Sequence, residues 1–242
     1  MNEGNHIVKQ VRAALERDSR VRFHTHPPKV SLDEEGVLTL EGELADIVAK
    51  KLALEHAASI RGVSGIVDRL QVRPSKQMSD AEIRDHVRDA LLEESALGGC
   101  SIRTADGEHW RKVSQFTAIP ACSLDIKVED GVVTLNGKVN SLSQKRLAGV
   151  LAWWVPGSRD VINGLEVAPP QEDNDEEITE AVKLVLEKDP LINADRIRVT
   201  THNSMVTLEG VVTNHQESEM AEMDAWYVFG VDGVINRLEL QS

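Results

Sequence analysis

The hydrophobic pattern of the chain repeats three times, and a pair of glycines marks each copy. The two glycines lie 20 residues apart in every copy: Gly42 and Gly62, Gly137 and Gly157, and Gly210 and Gly230. Apolar residues alternate with polar ones before the first glycine and again after the second, which is the pattern of half-buried β-strands. A spacing this regular indicates three copies of one structural unit.

The stretch between the two glycines predicts an amphipathic helix in each copy. It opens on a residue that favours the helix N-cap, which is Asp46, Ser141 or Asn214. Alanines at i and i+4 and a third apolar residue at i+7 then form one narrow stripe. The stripes are Ala53, Ala57 and Ile60; Ala148, Ala152 and Val155; and Ala221, Ala225 and Val228. We expect the small stripe to pack closely on a sheet and the second glycine to end the helix as its C′ residue.

An earlier helix and a hairpin complete each copy. The helices carry apolar residues four positions apart: Ile7, Val11 and Leu15; Ile83, Val87 and Leu91; and Ile178, Val182 and Leu186. The hairpin turns are Glu35-Gly36, Asp130-Gly131 and Asn203-Ser204. The expected fold class is therefore α+β, with three tandem α-β-β-α-β domains. Each is predicted to be a small three-stranded mixed sheet with two helices on one face.

Proline-containing linkers separate the three copies. The periodicity breaks at residues 73–78 and 168–174, which predicts domains over residues 1–74, 78–169 and 173–242. The middle domain carries about 20 extra residues near 98–121, for which we expect a hairpin extension or an ordered flap.

The insertion contains the candidate partner-binding residues His109, Trp110 and Phe116, because long loops seldom carry aromatic side chains. An inert surface loop is the alternative. Cys100, His109 and Cys122 do not make a metal site, because their spacing matches no short zinc motif and a fourth ligand is missing. The chain also shows no glycine-rich phosphate loop and no nucleophile elbow. We therefore predict no metal, no cofactor and no catalytic residue.

The second and third copies share a more specific pattern. V-x-L-x-G is followed by the alanine-bearing helix and then by a glycine and V-x-N-x-L-x-V, over residues 133–167 and 206–240. This pattern resembles the BON domain, a bacterial module of osmotically inducible periplasmic proteins, outer-membrane lipoproteins and some channel-associated proteins. The first copy departs from it at Val67-Asp68-Arg69. The resemblance covers nearly the whole chain and implies a stress- or envelope-associated binding protein rather than an enzyme.

Charge and hydropathy limit the setting of the protein. A net charge of −13 argues against general nucleic-acid binding. No window approaches the roughly 20 apolar residues of a membrane-spanning helix. The first residues lack the charged-then-apolar pattern of a secretory signal, which predicts a cytoplasmic protein with, at most, peripheral membrane association. Cys100 and Cys122 are then expected to be reduced thiols, whereas in an exported protein they would bridge the insertion.

The second helix of the middle copy differs from its counterparts in charge. Residues 141–159 contain three bases and no acid, residues 46–64 three bases and two acids, and residues 214–232 five acids and no base. Bases beside tryptophans suit a membrane headgroup layer. The candidate ligand- or membrane-contact residues are Lys145, Arg146, Trp153, Trp154 and Arg159.

A seam between copies is the alternative role for this helix. Trp226 and Tyr227 hold the same two positions of the acidic copy as Trp153 and Trp154 hold in the basic one. Aromatic residues at matching positions would fill an interface between the two copies. In a mixed arrangement, the basic helix docks on the acidic helix.

Three functions follow as hypotheses. The first is a non-enzymatic binding protein that meets an anionic phospholipid surface or a protein partner through the middle copy. The second is a three-domain protein-interaction scaffold. The third is a cytoplasmic potassium-binding or potassium-sensing protein, which the resemblance also implies.

Overall fold

The computed structural model describes residues 3–25, 27–107, 109–113 and 122–241. The chain divides into two compact units, Met1–Arg73 and Pro74–Ser242. The first unit holds the first copy of the repeat. The second unit holds the second and third copies, which share one apolar core.

The first unit has the predicted order of elements. They are α1 (Glu3–Arg17), β1 (Lys29–Leu32), β2 (Val37–Leu44), α2 (Ile47–Ala58) and β3 (Gly65–Val72). The sheet order is β1-β2-β3, in which β1 and β2 are antiparallel and β2 and β3 are parallel. The helix α2 thus connects the two parallel strands, as such a crossover requires.

The second copy contains the same elements and two extra strands. They are α3 (Asp80–Glu93), β4 (Cys100–Asp106), β5 (His109–Lys112), β6 (Cys122–Glu129), β7 (Val132–Val139), α4 (Leu142–Trp153) and β8 (Asp160–Val167). The predicted three strands are β6, β7 and β8, and the insertion extends their sheet to five in the order β5-β4-β6-β7-β8. The strands β4 and β5 form the expected hairpin, and β4 pairs parallel to β6.

The third copy returns to three strands. Its elements are α5 (Asp175–Lys188), β9 (Ile197–His202), β10 (Met205–Val212), α6 (His215–Tyr227) and β11 (Gly233–Leu240). The sheet order is β11-β10-β9. The predicted α+β class is therefore confirmed in all three copies. Across the described ranges, no helix is both long and apolar enough to cross a bilayer.

Side-chain caps start the second helix of each copy where the sequence predicts. The Asp46 carboxylate accepts the N–H of Ala49 at 2.9 Å. The Ser141 hydroxyl accepts the N–H of Gln144 in the second copy, and the Asn214 side chain accepts the N–H of Glu217 in the third. Each cap satisfies a backbone donor that the helix itself leaves unpaired.

The alanine stripes pack against the sheets. Ala148 and Ala152 of α4 and their counterparts Ala221 and Ala225 of α6 are fully buried. The lack of longer side chains at these positions lets the helix backbone lie close to the strands. The first helices α3 and α5 bury their whole predicted stripes, including Val87 and Leu91 of α3, whereas in α1 Val11 and Leu15 are buried and Ile7 is half-buried.

The two marker glycines have different roles. Gly137 takes a φ of 123°, and a Cβ there would collide with the carbonyl oxygen of Ser123 on the neighbouring strand. Gly210 has the same constraint against Arg196. The prediction that the second glycine is the helix C′ residue is wrong, because α2 ends at Ala58 and Gly62 lies in the following loop. There it takes a positive φ, which a glycine adopts without steric cost.

Candidate functional site

The basic helix α4 is buried on more than its alanine face. It contacts α3 of its own copy and both α5 and α6 of the third copy. Buried residues therefore extend around the helix to include Leu142, Arg146 and Leu147. We call the contact of α4 with α5, α6 and the loops at their ends the α4 seam.

Arg146 anchors the α4 seam. Its side chain is 0% exposed, and its Nε donates to the carbonyl oxygen of Phe229 at 2.9 Å. Its Nη2 donates to the carboxylate of Asp173, just before α5. Nη1 is buried without a hydrogen-bond partner among the described residues. A buried arginine is tolerated when paired and hydrogen-bonded, so this side chain ties the second copy to two separate segments of the third.

Trp154 and Asp224 form a second polar contact of the seam. The indole Nε1 donates to Oδ1 of Asp224 at 2.8 Å. Burial raises the pKa of Asp224 to about 7, the nearby Asp189 carboxylate acts in the same direction, and the hydrogen bond from Trp154 partly opposes both. The seam thus contains a carboxyl group that changes charge near neutral pH.

Two further bonds join the copies at the ends of the seam. Lys188 at the end of α5 pairs with Glu94 after α3 at 2.9 Å. Burial opposes ionisation of Glu94, but the N–H of Ala96 and the Lys188 ammonium together hold its pKa below the ordinary value. The first turn of α4 is bonded as well, because the N–H of Leu142 donates to Gln171 at 2.9 Å.

One edge of the seam presents aromatic rings and a lysine. The Nζ of Lys145 lies 5.3 Å from the ring centroid of Phe229, which is 53% exposed. The rings of Trp153 and Tyr227 stack with centroids 5.6 Å apart and planes inclined by 21°. We call Lys145, Trp153, Tyr227 and Phe229 the aromatic patch. Both copies contribute to it, because the end of α6 and the loop after it run along α4.

The structure separates the five residues predicted from the basic helix. Lys145 and Trp153 lie in the aromatic patch, whereas Arg146 and Trp154 bond within the α4 seam. Arg159 lies past the end of α4, where its N–H donates to the carbonyl oxygen of Gly131 at 2.9 Å. Lys145 and Trp153 thus each contact an aromatic ring of the third copy, Phe229 and Tyr227 respectively. That they contact a ligand or a membrane stays a prediction.

Phe229 was not among the predicted site residues. Its only signal in the sequence is a large apolar side chain just before the loop glycine Gly230, where solvent exposure is expected. Tyr227 was expected only as part of a seam. Their roles depend on how two copies dock, which periodicity within one copy does not reveal.

The insertion forms a regular extension of the sheet. All four residues of β5 are exposed, including His109 and Trp110. The Arg103 guanidinium lies 5.5 Å from the Trp110 ring centroid, a distance suited to a cation–π contact. Phe116 lies outside the described residues. Partner binding by this extension stays a prediction.

Cys100 and Cys122 form a disulfide between the neighbouring strands β4 and β6. The expectation of two reduced thiols is therefore wrong for this structure, and the bridging alternative is the one observed. Residues directly opposite each other on paired strands are close enough for such a bond. Because both sulfurs are used in it, neither belongs to a thiolate metal site with His109.

Comparisons with known proteins agree with the repeated architecture. The family model described as BON domain matches residues 4–74, 115–169 and 174–242. Osmotically-inducible protein Y of Escherichia coli (strain K12) is 31% identical over 127 residues. That alignment covers 50% of this chain and 63% of the relative, so the chain spans less than two thirds of the relative's length.

Solved structures that align with the chain include two of CdsD, a structural protein of the type III secretion system of Chlamydia trachomatis. Both show 13% sequence identity and a TM-score of 0.25. One, of the C-terminal domain, covers 93% of this chain and 96% of its own. The other covers 98% of this chain and 92% of its own.

Proposed function

Because this chain belongs to the BON domain family, we propose that it is a non-catalytic binding protein of the osmotic-stress type whose aromatic patch attaches to an anionic phospholipid surface. The similarity to an osmotically inducible protein supports the stress setting. The aromatic patch supports the lipid ligand. A vesicle-binding experiment tests the lipid ligand directly.

The exposed Phe229 ring beside Lys145 is the observation that carries the proposal. An aromatic side chain left half in water gains free energy when it enters the boundary between headgroups and acyl chains. Tyr227 and Trp153 suit the same layer, because each ring has an apolar body and one polar group. The patch thus combines apolar anchors with a cation that anionic headgroups attract.

The α4 seam prepares this surface before a ligand arrives. Arg146 fixes the backbone at Phe229, and Trp154 fixes α6 through Asp224. Residues on packed helices, or on a loop whose backbone is held by a hydrogen bond as at Phe229, lose less freedom on binding, which favours affinity. Arg146 is thus a positioning residue in the proposal and makes no contact with lipid.

Binding should be weak and sensitive to salt. One lysine near an anionic surface contributes about 1 kcal/mol, and the attraction decays over a Debye length of about 10 Å at 0.1 M salt. The protein as a whole has a net charge of −13, so an anionic surface repels most of the molecule. Attachment therefore depends on the aromatic patch facing the bilayer.

Cosedimentation with phosphatidylglycerol vesicles at low salt tests the proposal, with phosphatidylcholine vesicles as the neutral comparison. We expect binding to phosphatidylglycerol only. Lys145→Glu and Phe229→Thr should each weaken it at least fivefold, which is about 1 kcal/mol.

Two matched variants control for charge and apolar area. Lys138→Glu reverses an exposed charge on β7, and Ile162→Thr removes a side chain that is 52% exposed on β8. Neither residue belongs to the aromatic patch, so both variants should bind as the wild type does. Equal binding by all five proteins, or no binding of the wild type to phosphatidylglycerol at low salt, would reject the lipid ligand.

The disulfide supports an oxidising compartment for this function. Disulfides persist outside the reducing cytoplasm, and this one fastens the insertion to the sheet. We therefore infer that the protein works after export, in place of the cytoplasmic setting expected from its first residues.

A protein-interaction scaffold is the second candidate, and the α4 seam favours it. Docking of the second and third copies makes one compact unit that carries both the β4–β5 hairpin and the aromatic patch. A wild type that ignores vesicles while the seam stays intact would favour this candidate. Potassium binding stays a prediction without a supporting contact among the described residues.

A further inference from the structure

The middle copy shows how an additional strand occupies the outer edge of its sheet. The strand β4 pairs parallel to β6, and Ile102 lies directly opposite Leu124. Ile102 is 1% exposed, and α3 packs along both strands. A backbone ladder and an apolar side chain that faces the helix thus hold β4 in place.

The strand β9 is the counterpart of β6 in the third copy. Leu124 lies opposite Gly137 and Ile197 lies opposite Gly210, so the two glycines align the strands residue by residue. By this alignment Arg198 takes the place of Asp125. The helix α5 flanks β9 as α3 flanks β6.

Nothing in the described part of the chain occupies the outer edge of β9. Within those residues β9 pairs with β10 and with no second strand. A groove of about 340 Å³ lies between α5 and β9, and its lining includes Leu186, Ile197, Arg198 and Val199. Edge strands leave backbone N–H and C=O groups unpaired, which makes them templates for another strand.

Charge identifies what fits this groove. In the middle copy Arg103 of β4 pairs with Asp125 of β6, and its Nε lies 2.6 Å from the carboxylate. In the third copy the exposed Arg198 stands where the middle copy has Asp125, so the sheet carries a positive charge at this position. No carboxylate of the described residues pairs with Arg198. A strand that repeats the β4 arrangement here must carry an acid at the position of Arg103.

We propose that the β9 edge binds an extended segment of a partner protein, which pairs parallel to β9 with an aliphatic residue opposite Ile197 and an acidic residue opposite Arg198. The segment adds a fourth strand to the sheet, as β4 does in the middle copy. Main-chain hydrogen bonds supply affinity, and these two side chains supply selectivity.

A second copy of this chain is a poorer occupant of the same edge. Its own β4 is fastened by the disulfide to β6. Its β9 would bring a second Arg198 to an edge that already carries one. Like charges across paired strands are destabilising, so the partner is expected to be a different, acidic segment.

The test uses two labelled peptides with the sequence of residues 98–107 and the change Cys100→Ser. One peptide also carries Arg103→Glu, and the matched peptide keeps the arginine. Fluorescence anisotropy should show the glutamate peptide binding the wild-type protein about two- to tenfold more tightly than the arginine peptide. The Arg198→Glu protein should reverse that preference. Because Arg198 is exposed, this variant is expected to melt at the wild-type temperature.

Two controls separate an added strand from other modes of binding. A glutamate peptide N-methylated on alternate residues loses the ladder donors on one edge, and its binding should disappear. Binding that survives methylation, or a preference that Arg198→Glu leaves unchanged, would overturn the proposal. Sedimentation of a wild-type dimer that Arg198→Glu dissociates would also overturn it, because a second copy would then hold the edge.

Discussion

Replacing Asp224 with asparagine should stabilise the second unit above neutral pH. Asp224 is 4% exposed and accepts the indole N–H of Trp154 on one oxygen. The asparagine keeps that acceptor, and its amide N–H group can donate to the neighbouring Asp189. The substitution therefore removes a buried negative charge while keeping the hydrogen bonds of the seam.

The size and sign of the effect follow from the pKa of Asp224. The value of about 7 is raised from 3.8 in the unfolded chain. Between these values the folded state holds a proton that the unfolded state has lost, so stability falls as the pH rises through this window. The difference corresponds to at most about 4 kcal/mol, and we expect about half of it because a buried site relaxes around a charge.

Urea unfolding followed by tryptophan fluorescence measures this effect in the full chain. All four tryptophans lie after residue 73, so their emission reports on the second unit alone. Asp224→Asn and wild type should differ little at pH 4 and by about 2 kcal/mol at pH 8. Asp232→Asn, which changes an exposed acid of the same copy, serves as the matched control.

Subtracting the wild-type curve from that of the variant isolates Asp224 from other titrating groups. A difference that stays constant between pH 4 and pH 8 would show that Asp224 does not change charge in this window. A variant less stable than the wild type at pH 8 would show that the ionised carboxylate stabilises the seam. Either result would refute the reasoning.

Three further variants, one of them with a matched control, probe other parts of the second unit in the same assay. Gly137→Ala should lower the unfolding free energy by roughly 2 kcal/mol or more, because φ at this residue is positive and a Cβ would collide with the Ser123 carbonyl oxygen. Gly99→Ala is the control and should have little effect, because a Cβ at Gly99 meets open space. The double change Cys100→Ala and Cys122→Ala should cost about 3 kcal/mol, since the bridge closes a loop with a sequence separation of 22, and reducing agent should then no longer affect stability. Ala148→Asp should cost several kcal/mol, because a carboxylate would be buried between α4 and its sheet; an unchanged midpoint would contradict the assigned stripe.

The features that the sequence predicted well are determined within one copy. N-caps such as Ser141, the alanine stripe at Ala148 and Ala152, and the glycine at 137 act on neighbours in the same helix or sheet. Their patterns recur at fixed spacing in three places, so each copy supports the assignment in the others. The family membership was predicted from the same residues and is confirmed.

The α4 seam was harder to predict because it depends on distant segments. From the sequence, Arg146 is expected to be solvent-exposed, since arginines are seldom fully buried. Its partners Asp173 and Phe229 lie 27 and 83 residues away. A docked basic helix was only one of several alternatives, and its signal in the sequence was the pair of aromatic residues, Trp226 and Tyr227, at the matching positions of the third copy. The parallel pairing of β4 with β6 was unexpected for the same reason.

The position of Arg146 also bears on how similar repeats avoid misassembly. Counted from the marker glycine, the same position is Lys51 in the first copy and Glu219 in the third. Tandem domains of like sequence can exchange elements while folding, and incorrect neighbours then become kinetic traps. If α2 took the place of α4, Lys51 would bring a compact ammonium group that lacks the forked hydrogen-bond donors of the Arg146 guanidinium. If α6 took that place, Glu219 would bring a carboxylate beside Asp173. The copies share a fold, but this one helix position makes them non-interchangeable, so a chain with its repeats reordered should still form three sheets and fail to dock the last two.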